Sequence, residues 1–152
     1  MANLKIVKFG DETLRKVCRP VDEITPKITR LLDDMIQTMR TADGCGLAAP
    51  QVGVLRRIAV IEVEEGVVYE LINPKIIAYS GEQRDKEGCL SNPGKFGVTR
   101  RPMYVTVRAT DRYGKEYELN GQGLLARAIC HECDHLDGKL YTDVQIKAYT
   151  ED

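Results

Sequence analysis

The chain has 152 residues, of which 43% are hydrophobic and 30% are charged. These values are typical of one water-soluble globular domain, so we expect residues 1–152 to form a single domain. No apolar run approaches the roughly 18 to 20 residues that cross a bilayer. A net charge of -1 gives no overall attraction to nucleic acid or anionic lipid. We therefore expect neither sequence-specific nucleic acid binding nor membrane binding.

The N-terminus and the cysteines predict where the protein works. The first residues, MANLKIVKFGDETLRK, lack the basic stretch, apolar block and small-residue cleavage site of a secretory signal. The number of cysteines is odd and their spacing is irregular, which fits reduced thiols better than a disulfide framework. They are Cys18, Cys45, Cys89, Cys130 and Cys133. We expect a cytoplasmic protein, with a monomer as the default.

Two helices are predicted near the N-terminus. Asp11 is placed to cap a short helix over residues 12–16, which Pro20 would stop. Thr25 and Pro26 then open a longer helix as N-cap and first helical residue. Its apolar residues recur at helical spacing, so one face should be buried. They are Ile28, Leu31, Leu32, Met35, Ile36 and Met39.

Strand-like runs follow a break rich in Gly and Ala at residues 41–53. Residues 57–62 and 67–71 are rich in Val, Ile and Tyr and flank a glycine turn, which predicts a hairpin. Asn73-Pro74 should end or bend it, with residues 75–79 as a further strand.

The second half predicts more sheet and then a helix. Residues 98–110 and 115–119 flank a turn signature, and Pro102 indicates an edge or irregular position. Asn120 offers an N-cap for a helix over about residues 121–136, closed by Gly138. The predicted class is α+β, with mixed, largely antiparallel sheets around this helix and the long amphipathic helix after Thr25.

The segment His131-Glu132-Cys133-Asp134-His135 fits HExxH and contains the only two histidines of the chain. On a helix a spacing of four residues puts both imidazoles on one face, about 6 Å apart along the axis, where they can share a metal ion. Glu132 would project beside the ion, as a base that takes a proton from water must. The alternative is a helix with two surface histidines.

A catalytic site of this kind needs a third protein ligand and one open position. Among the acidic residues that follow the motif, Asp137, Asp143 and Glu151 are poor candidates for this ligand. Tyr141 occupies the position of the third histidine in the longer HExxHxxGxxH motif. Upstream, Cys89 lies in the segment EGCLS between strand-like runs, and its thiolate would suit Zn or Fe(II).

Two further features leave alternatives open. Cys130 and Cys133 form a CxxC, but on a helix neither side chain is aimed with the two histidines, which favours small buried residues over a redox pair. The Gly-Ala block at residues 44–51 fits either tight packing or close approach to a ligand. Its one polar side chain, Gln51, could donate to an oxyanion formed when a carbonyl is attacked.

Three blocks together carry a specific resemblance. GCGLAAPQ at 44–51, EGCLS at 87–91 and HECDH at 131–135 resemble, in order and separation, the signature motifs of the bacterial peptide deformylases. The resemblance implies a metal-dependent hydrolase that removes the N-formyl group from the N-terminal methionine of nascent polypeptides and releases formate. It implies one divalent ion, Fe(II) in the cell, with Zn(II), Ni(II) or Co(II) able to occupy the site.

The family resemblance also implies residue roles. Cys89, His131 and His135 would be the metal ligands, Glu132 the general acid-base, and Gln51 with the Leu90 backbone N–H the oxyanion donors. The implied substrate-binding residues are Gly44, Cys45, Gly46, Leu47, Glu87 and Gly88, with the peptide pairing along an exposed strand near Leu47. Formyl-methionyl nascent peptides would be the partners, and the resemblance leaves open a transient ribosome contact.

The chain departs from the family pattern at Cys45, Asn92 and Cys130, where an aliphatic residue, Ile and Gln are usual. Arg101 is implied to pair with Glu87 and brace the cysteine segment. Two other functions remain as alternatives. One is a metallopeptidase with a downstream carboxylate ligand, and the other is a metal or thiol module without catalysis.

Overall fold

The computed structural model describes residues 2–150. Within them the α-helices are α1 (Pro26–Thr41) and α2 (Leu124–Leu136). The strands are β1 (Gly46–Ala48), β2 (Ile58–Glu64), β3 (Val67–Ser80), β4 (Gln83–Glu87), β5 (Lys95–Arg101), β6 (Tyr104–Thr110), β7 (Glu116–Gln122) and β8 (Gln145–Thr150). Short 3-10 helices cover Glu12–Arg15, Ala49–Val52 and Tyr141–Asp143.

The strands form two antiparallel sheets. One has the order β1-β2-β3-β6-β7 and the other the order β4-β5-β8. The only parallel pairing among the described residues is an isolated bridge between Arg19 and Arg56. The α+β prediction is confirmed. Neither helix of this part of the chain has the length and apolarity needed to cross a membrane.

The two helices pack on opposite faces of the five-stranded sheet. In β2, Ile58 and Val60 belong to the core cluster of α1, whereas Ala59 and Ile61 belong to that of α2. Successive side chains of a strand point to opposite faces, so a strand covered on both faces is apolar at every position. The helix predicted after Thr25 is confirmed, with Leu32, Met35 and Met39 fully buried.

The predicted hairpin is present, but the strand does not end at Asn73-Pro74. β3 continues to Ser80, and the pairing with β6 shifts register between Ile72 and Lys75. The register shift includes Asn73, whose backbone is left-handed with a φ of 52°. Its side-chain amide bonds the backbone N–H and C=O of Val21, each at 2.8 Å. An asparagine tolerates this left-handed backbone better than most residues.

The predicted run at residues 98–110 is divided in the structure. Pro102 lies between β5 and β6, which belong to different sheets, so the proline marks the corner where the chain changes sheet. Residues 83–87 were not predicted as a strand, because the sequence QRDKE has no apolar alternation. They form β4 through backbone pairing with β5.

The predicted start of the second helix was wrong. Asn120 lies in β7 opposite Thr106, and α2 begins at Leu124 after Gly123. Pairing of β7 with β6 holds the backbone of Asn120 extended, which overrides its local preference for capping. The predicted end is confirmed, since Gly138 follows α2 with a φ of 74°. Asp11 caps the first 3-10 helix by accepting from the Thr13 N–H at 2.9 Å.

Candidate metal centre

Helix α2 carries both histidines into the interior. His131 is 7% exposed and His135 is 1% exposed, and their ring centroids lie 4.9 Å apart. They are one helical turn apart on α2. Nearly complete burial contradicts the alternative of two surface histidines.

Cys89 reaches these rings from the segment between β4 and β5. We call residues 88–94 the cysteine loop; it turns through a bond from the Asn92 N–H to the Cys89 carbonyl at 2.9 Å. The Cys89 Sγ lies 3.4 Å from the His135 Nε2, and one ligand atom of each of Cys89, His131 and His135 lies within 4.8 Å of the others.

The donors fit a metal ion. A tetrahedral ion with ordinary bonds to sulfur and nitrogen holds two such ligand atoms roughly 3.5 Å apart. The Sγ–Nε2 distance of 3.4 Å agrees with that value. A thiolate with two imidazoles is a donor set that suits Zn(II) or Fe(II).

A buried ion pair orients the first histidine. Glu87 accepts from His131 Nδ1 at 2.7 Å and from Arg101 Nη2 at 2.8 Å, and also from the Thr99 hydroxyl. Burial alone would raise the pKa of Glu87, but the bonds from His131 and Arg101 outweigh it and lower the pKa to about 2. With Nδ1 bonded to Glu87, Nε2 is the ring nitrogen of His131 that would remain for an ion. The implied pairing of Arg101 with Glu87 is present.

Glu132 is 3% exposed, and its Oε1 has no hydrogen-bond partner among the described residues. Burial raises the pKa of this carboxyl to about 7. Its other oxygen lies against Gly46, where a Cβ would overlap it. Gly46 therefore gives this carboxylate its space in the site.

The side chain of Gln51 is fixed at both ends. Its Oε1 accepts from the Ala48 N–H at 2.9 Å, and its Nε2 donates to Ser91 Oγ at 3.0 Å and to Cys89 Sγ at 3.4 Å. The amide NH2 group thus points towards the ligand cluster. Gln51 is 1% exposed, so this orientation is held by packing as well as by bonds.

A cleft of about 580 Å³ opens over the cluster. All predicted site residues line it except His135 and Leu47. His135 is buried and does not line the cleft. The Leu47 side chain is fully buried in the core on the α1 side of the sheet, so only its backbone belongs to the strand beside the cleft.

The competing ligands lie elsewhere. Asp137 pairs with Arg57 at 2.9 Å and Asp143 with Arg15 at 2.6 Å, while Glu151 lies outside the described residues. Cys130 and Cys133 are both buried free thiols on α2. These positions agree with their interpretation as small buried helix residues.

Sequence reasoning missed three contributors to the site. Thr99 and Asp134 join the Arg101–Glu87 pair, with Asp134 accepting from Arg101 Nη1 at 2.7 Å. The Tyr141 ring stacks on His131, with centroids 6.0 Å apart. The position of Asp134 inside HECDH was an available signal, but nothing local marked Thr99.

A pair of imidazoles and a cysteine sulfur that converge beside a buried carboxyl group meet the requirements for activating water with a divalent ion. Fold and site together define a metallohydrolase of the HExxH class. The family model described as polypeptide deformylase matches residues 3–150, and the chain belongs to this family. These enzymes remove the N-formyl group from the N-terminal formyl-methionine of newly synthesised polypeptides, and this is the activity of the chain.

Relatives agree over nearly the whole length. A peptide deformylase of Lachnoclostridium phytofermentans is 55% identical over 145 residues, covering 94% of this chain and 89% of that protein. The crystal structure of a peptide deformylase from Legionella pneumophila has a TM-score of 0.92 at 43% identity, covering 94% of this chain and 86% of the other. The Synechococcus elongatus enzyme in complex with actinonin has a TM-score of 0.92 at 40% identity, covering 95% of this chain and 82% of the other.

Proposed function

We propose that Cys89, His131 and His135 hold one divalent ion and that Glu132 is the general acid-base of deformylation. The observation that supports this most is that the ligand atoms of Cys89, His131 and His135 lie within 4.8 Å of one another. Glu132 follows His131 directly on α2. A divalent ion bound there supplies Lewis acidity, which makes water nucleophilic near neutral pH and polarises the formyl carbonyl. Fe(II) is our proposal for the cell, with Zn(II), Ni(II) or Co(II) as substitutes.

In this proposal Glu132 moves one proton. Its unpartnered Oε1 accepts the proton of the attacking water. After addition to the formyl carbon, the same carboxyl returns the proton to the departing peptide amine. Formate and a free N-terminal methionine are the products, so no other acid is needed.

Gln51 and Leu90 are proposed to stabilise the oxyanion. The Nε2 of Gln51 already points at Cys89, and Leu90 follows Cys89 directly in the cysteine loop. Donors fixed before the reaction stabilise developing charge without reorganisation, and losing one such donor commonly costs about 100- to 1,000-fold in kcat. The bond from Gln51 Oε1 to Ala48 supports this fixed orientation.

Strand β1 is proposed to bind the substrate backbone. It is an edge strand of its sheet. The Cys45 carbonyl accepts from Glu62 in β2, whereas the Ala48 N–H turns away from β2 to Gln51. Backbone groups alternate in direction along a strand, so the N–H and C=O of Gly46 face the cleft. The peptide pairs with Gly46, while the walls formed by Gly44, Cys45, Glu87 and Gly88 take the methionine.

Formate release from formyl-Met-Ala-Ser by anaerobically purified protein tests the proposal. We expect the wild-type protein to release formate and to bind actinonin, as the Synechococcus elongatus enzyme does. Glu132→Gln keeps the size of the side chain but removes the base, and should lose about 100- to 10,000-fold in kcat while it still binds metal. Equal rates for the two proteins would refute the assignment.

We also propose a monomer in the cytoplasm that contacts the ribosome transiently, because its substrates are nascent chains. The five free thiols support a reducing compartment. Sedimentation equilibrium should give the monomer mass, and co-sedimentation with ribosomes that carry formylated chains should be weak and reversible. A stable dimer would contradict the first part.

A further inference from the structure

Asn92 places a polar amide side chain in the cysteine loop, three residues after Cys89. Its Nδ2 donates to the Tyr141 hydroxyl at 2.8 Å. Tyr141 is 2% exposed and belongs to the 3-10 helix Tyr141–Asp143, which follows α2 in the chain. The bond therefore joins the loop that carries Cys89 to the segment that follows α2.

Tyr141 also contacts His131 and the start of β5. Its ring stacks on the His131 ring with an interplanar angle of 20°, and its hydroxyl donates to the Lys95 carbonyl at the start of β5. One hydroxyl thus accepts from Asn92 inside the loop and donates to the residue that follows the loop. The ring of the same side chain lies against a proposed metal ligand.

The other side of the loop is held by different groups. The Ser91 carbonyl accepts from the Phe9 N–H at 2.8 Å, and the Ser91 hydroxyl accepts from Gln51. The Asn92–Tyr141 bond links the loop to the 3-10 helix Tyr141–Asp143, whose Tyr141 ring stacks on His131. An aliphatic residue at position 92 could fill space there but could not accept or donate.

We propose that the Asn92–Tyr141 hydrogen bond positions the cysteine loop, so that Cys89 stays near His131 and His135 before an ion is bound. This inference rests on the proposed ligand set. Both residues are positioning residues, since they act on the ligands through the loop and the ring. A ligand set that is arranged in advance has less conformational freedom to lose on binding the ion, and so releases it more slowly.

Tyr141→Phe removes only the hydroxyl and is the main test, with Asn92→Ile as the second variant. In the metal-free protein, hydrogen exchange of the Phe9 and Asn92 amides reports opening of the loop. We expect Tyr141→Phe to speed this exchange about 2- to 10-fold, the range for one neutral hydrogen bond. Zinc release from the loaded protein to a chelator should speed up by a similar factor.

The control is Thr106→Val, which removes a bond to Asn120 between β6 and β7. It should leave both rates as in the wild type. The double variant Asn92→Ile with Tyr141→Phe should show no more than the larger single effect, because one bond is lost only once. Wild-type rates in Tyr141→Phe, or additive effects in the double variant, would overturn the inference. Failure of the wild-type protein to retain zinc would instead refute the ligand set, and the exchange comparison would still test the contact.

Discussion

At the scale of single residues, the Glu132 carboxylate has space in the site because residue 46 is a glycine. Gly46 has no Cβ, and the carboxylate of Glu132 lies where that atom would be. The GCGLAAPQ block suggested close approach to a ligand, but its second glycine, Gly46, also packs against the proposed base. The glycine is therefore required by the packing of α2 on β1 as well as by the open cleft.

We predict that Gly46→Ala displaces the Glu132 carboxylate. Overpacking of a closed site costs about 1 to 3 kcal/mol, so the free energy of unfolding should fall by that amount. Deformylation should fall with it, because the base is moved. Urea unfolding and the formate assay measure the two effects.

A matched background separates this cause from a general effect of alanine in β1. In a Glu132→Ala protein the carboxylate is gone, so adding Gly46→Ala should change the free energy of unfolding by less than about 0.5 kcal/mol. An equal loss in both backgrounds would show that Glu132 is not the group that the new methyl meets.

At the scale of elements, the Glu87–Arg101 pair joins β4 and β5 to α2. Both side chains are at most 8% exposed, and Arg101 also bonds Asp134 on the helix. The pair holds the β4-β5-β8 sheet against α2, so the cysteine loop between β4 and β5 starts from a fixed position. Buried charges of this kind stabilise only as a complete set.

We predict that Arg101→Met destabilises the fold by about 3 to 5 kcal/mol, because the carboxylate of Glu87 is left buried without its cation. Metal affinity should also fall about 10- to 100-fold, since Glu87 orients His131. Thermal unfolding and metal titration test this. As a control, Arg108→Met removes exposed ion pairs with Glu116 and Glu118 and should change stability by less than about 1 kcal/mol. Similar losses in both variants would refute the special role of burial.

Asn73 controls the bulge that lets β3 continue. We predict the order of stability wild type, Asn73→Gly, Asn73→Ala. Both variants lose the two bonds to Val21, at a cost of about 1 to 3 kcal/mol. Alanine should lose about 1 kcal/mol more because its Cβ is strained at a φ of 52°. If alanine were as stable as glycine in urea unfolding, the left-handed backbone would not contribute.

At the scale of the whole molecule, the metal is proposed to join elements that are distant in sequence. An ion that binds only the folded chain adds about 4 kcal/mol at 1,000 times its dissociation constant. We predict that a chelator lowers the unfolding midpoint of the wild-type protein and abolishes formate release. Cys89→Ala should show a much smaller shift on chelation. Equal shifts in the two proteins would remove Cys89 from the ligand set.

Much of the architecture followed from periodicity. The helix after Thr25, the first hairpin and the end of α2 were predicted because local patterns and caps agreed with the final packing. β4 and the start of α2 were not, because partner strands decided them. QRDKE became a strand by pairing with β5, and Asn120 stayed extended opposite Thr106. The prediction of one domain over residues 1–152 stays a prediction.

By itself the sequence determined the chemistry: a helix with HExxH, a cysteine segment and a glycine-rich block whose combination indicated the family. Those signals are local, because helical spacing and short motifs depend on neighbours in the chain. Only the tertiary structure brought Cys89 to 3.4 Å from His135, put Glu87 between Arg101 and His131, and turned the Leu47 side chain into the core. These contacts join residues 14 to 46 positions apart. They depend on how sheets and helices pack, and no local pattern specifies that packing.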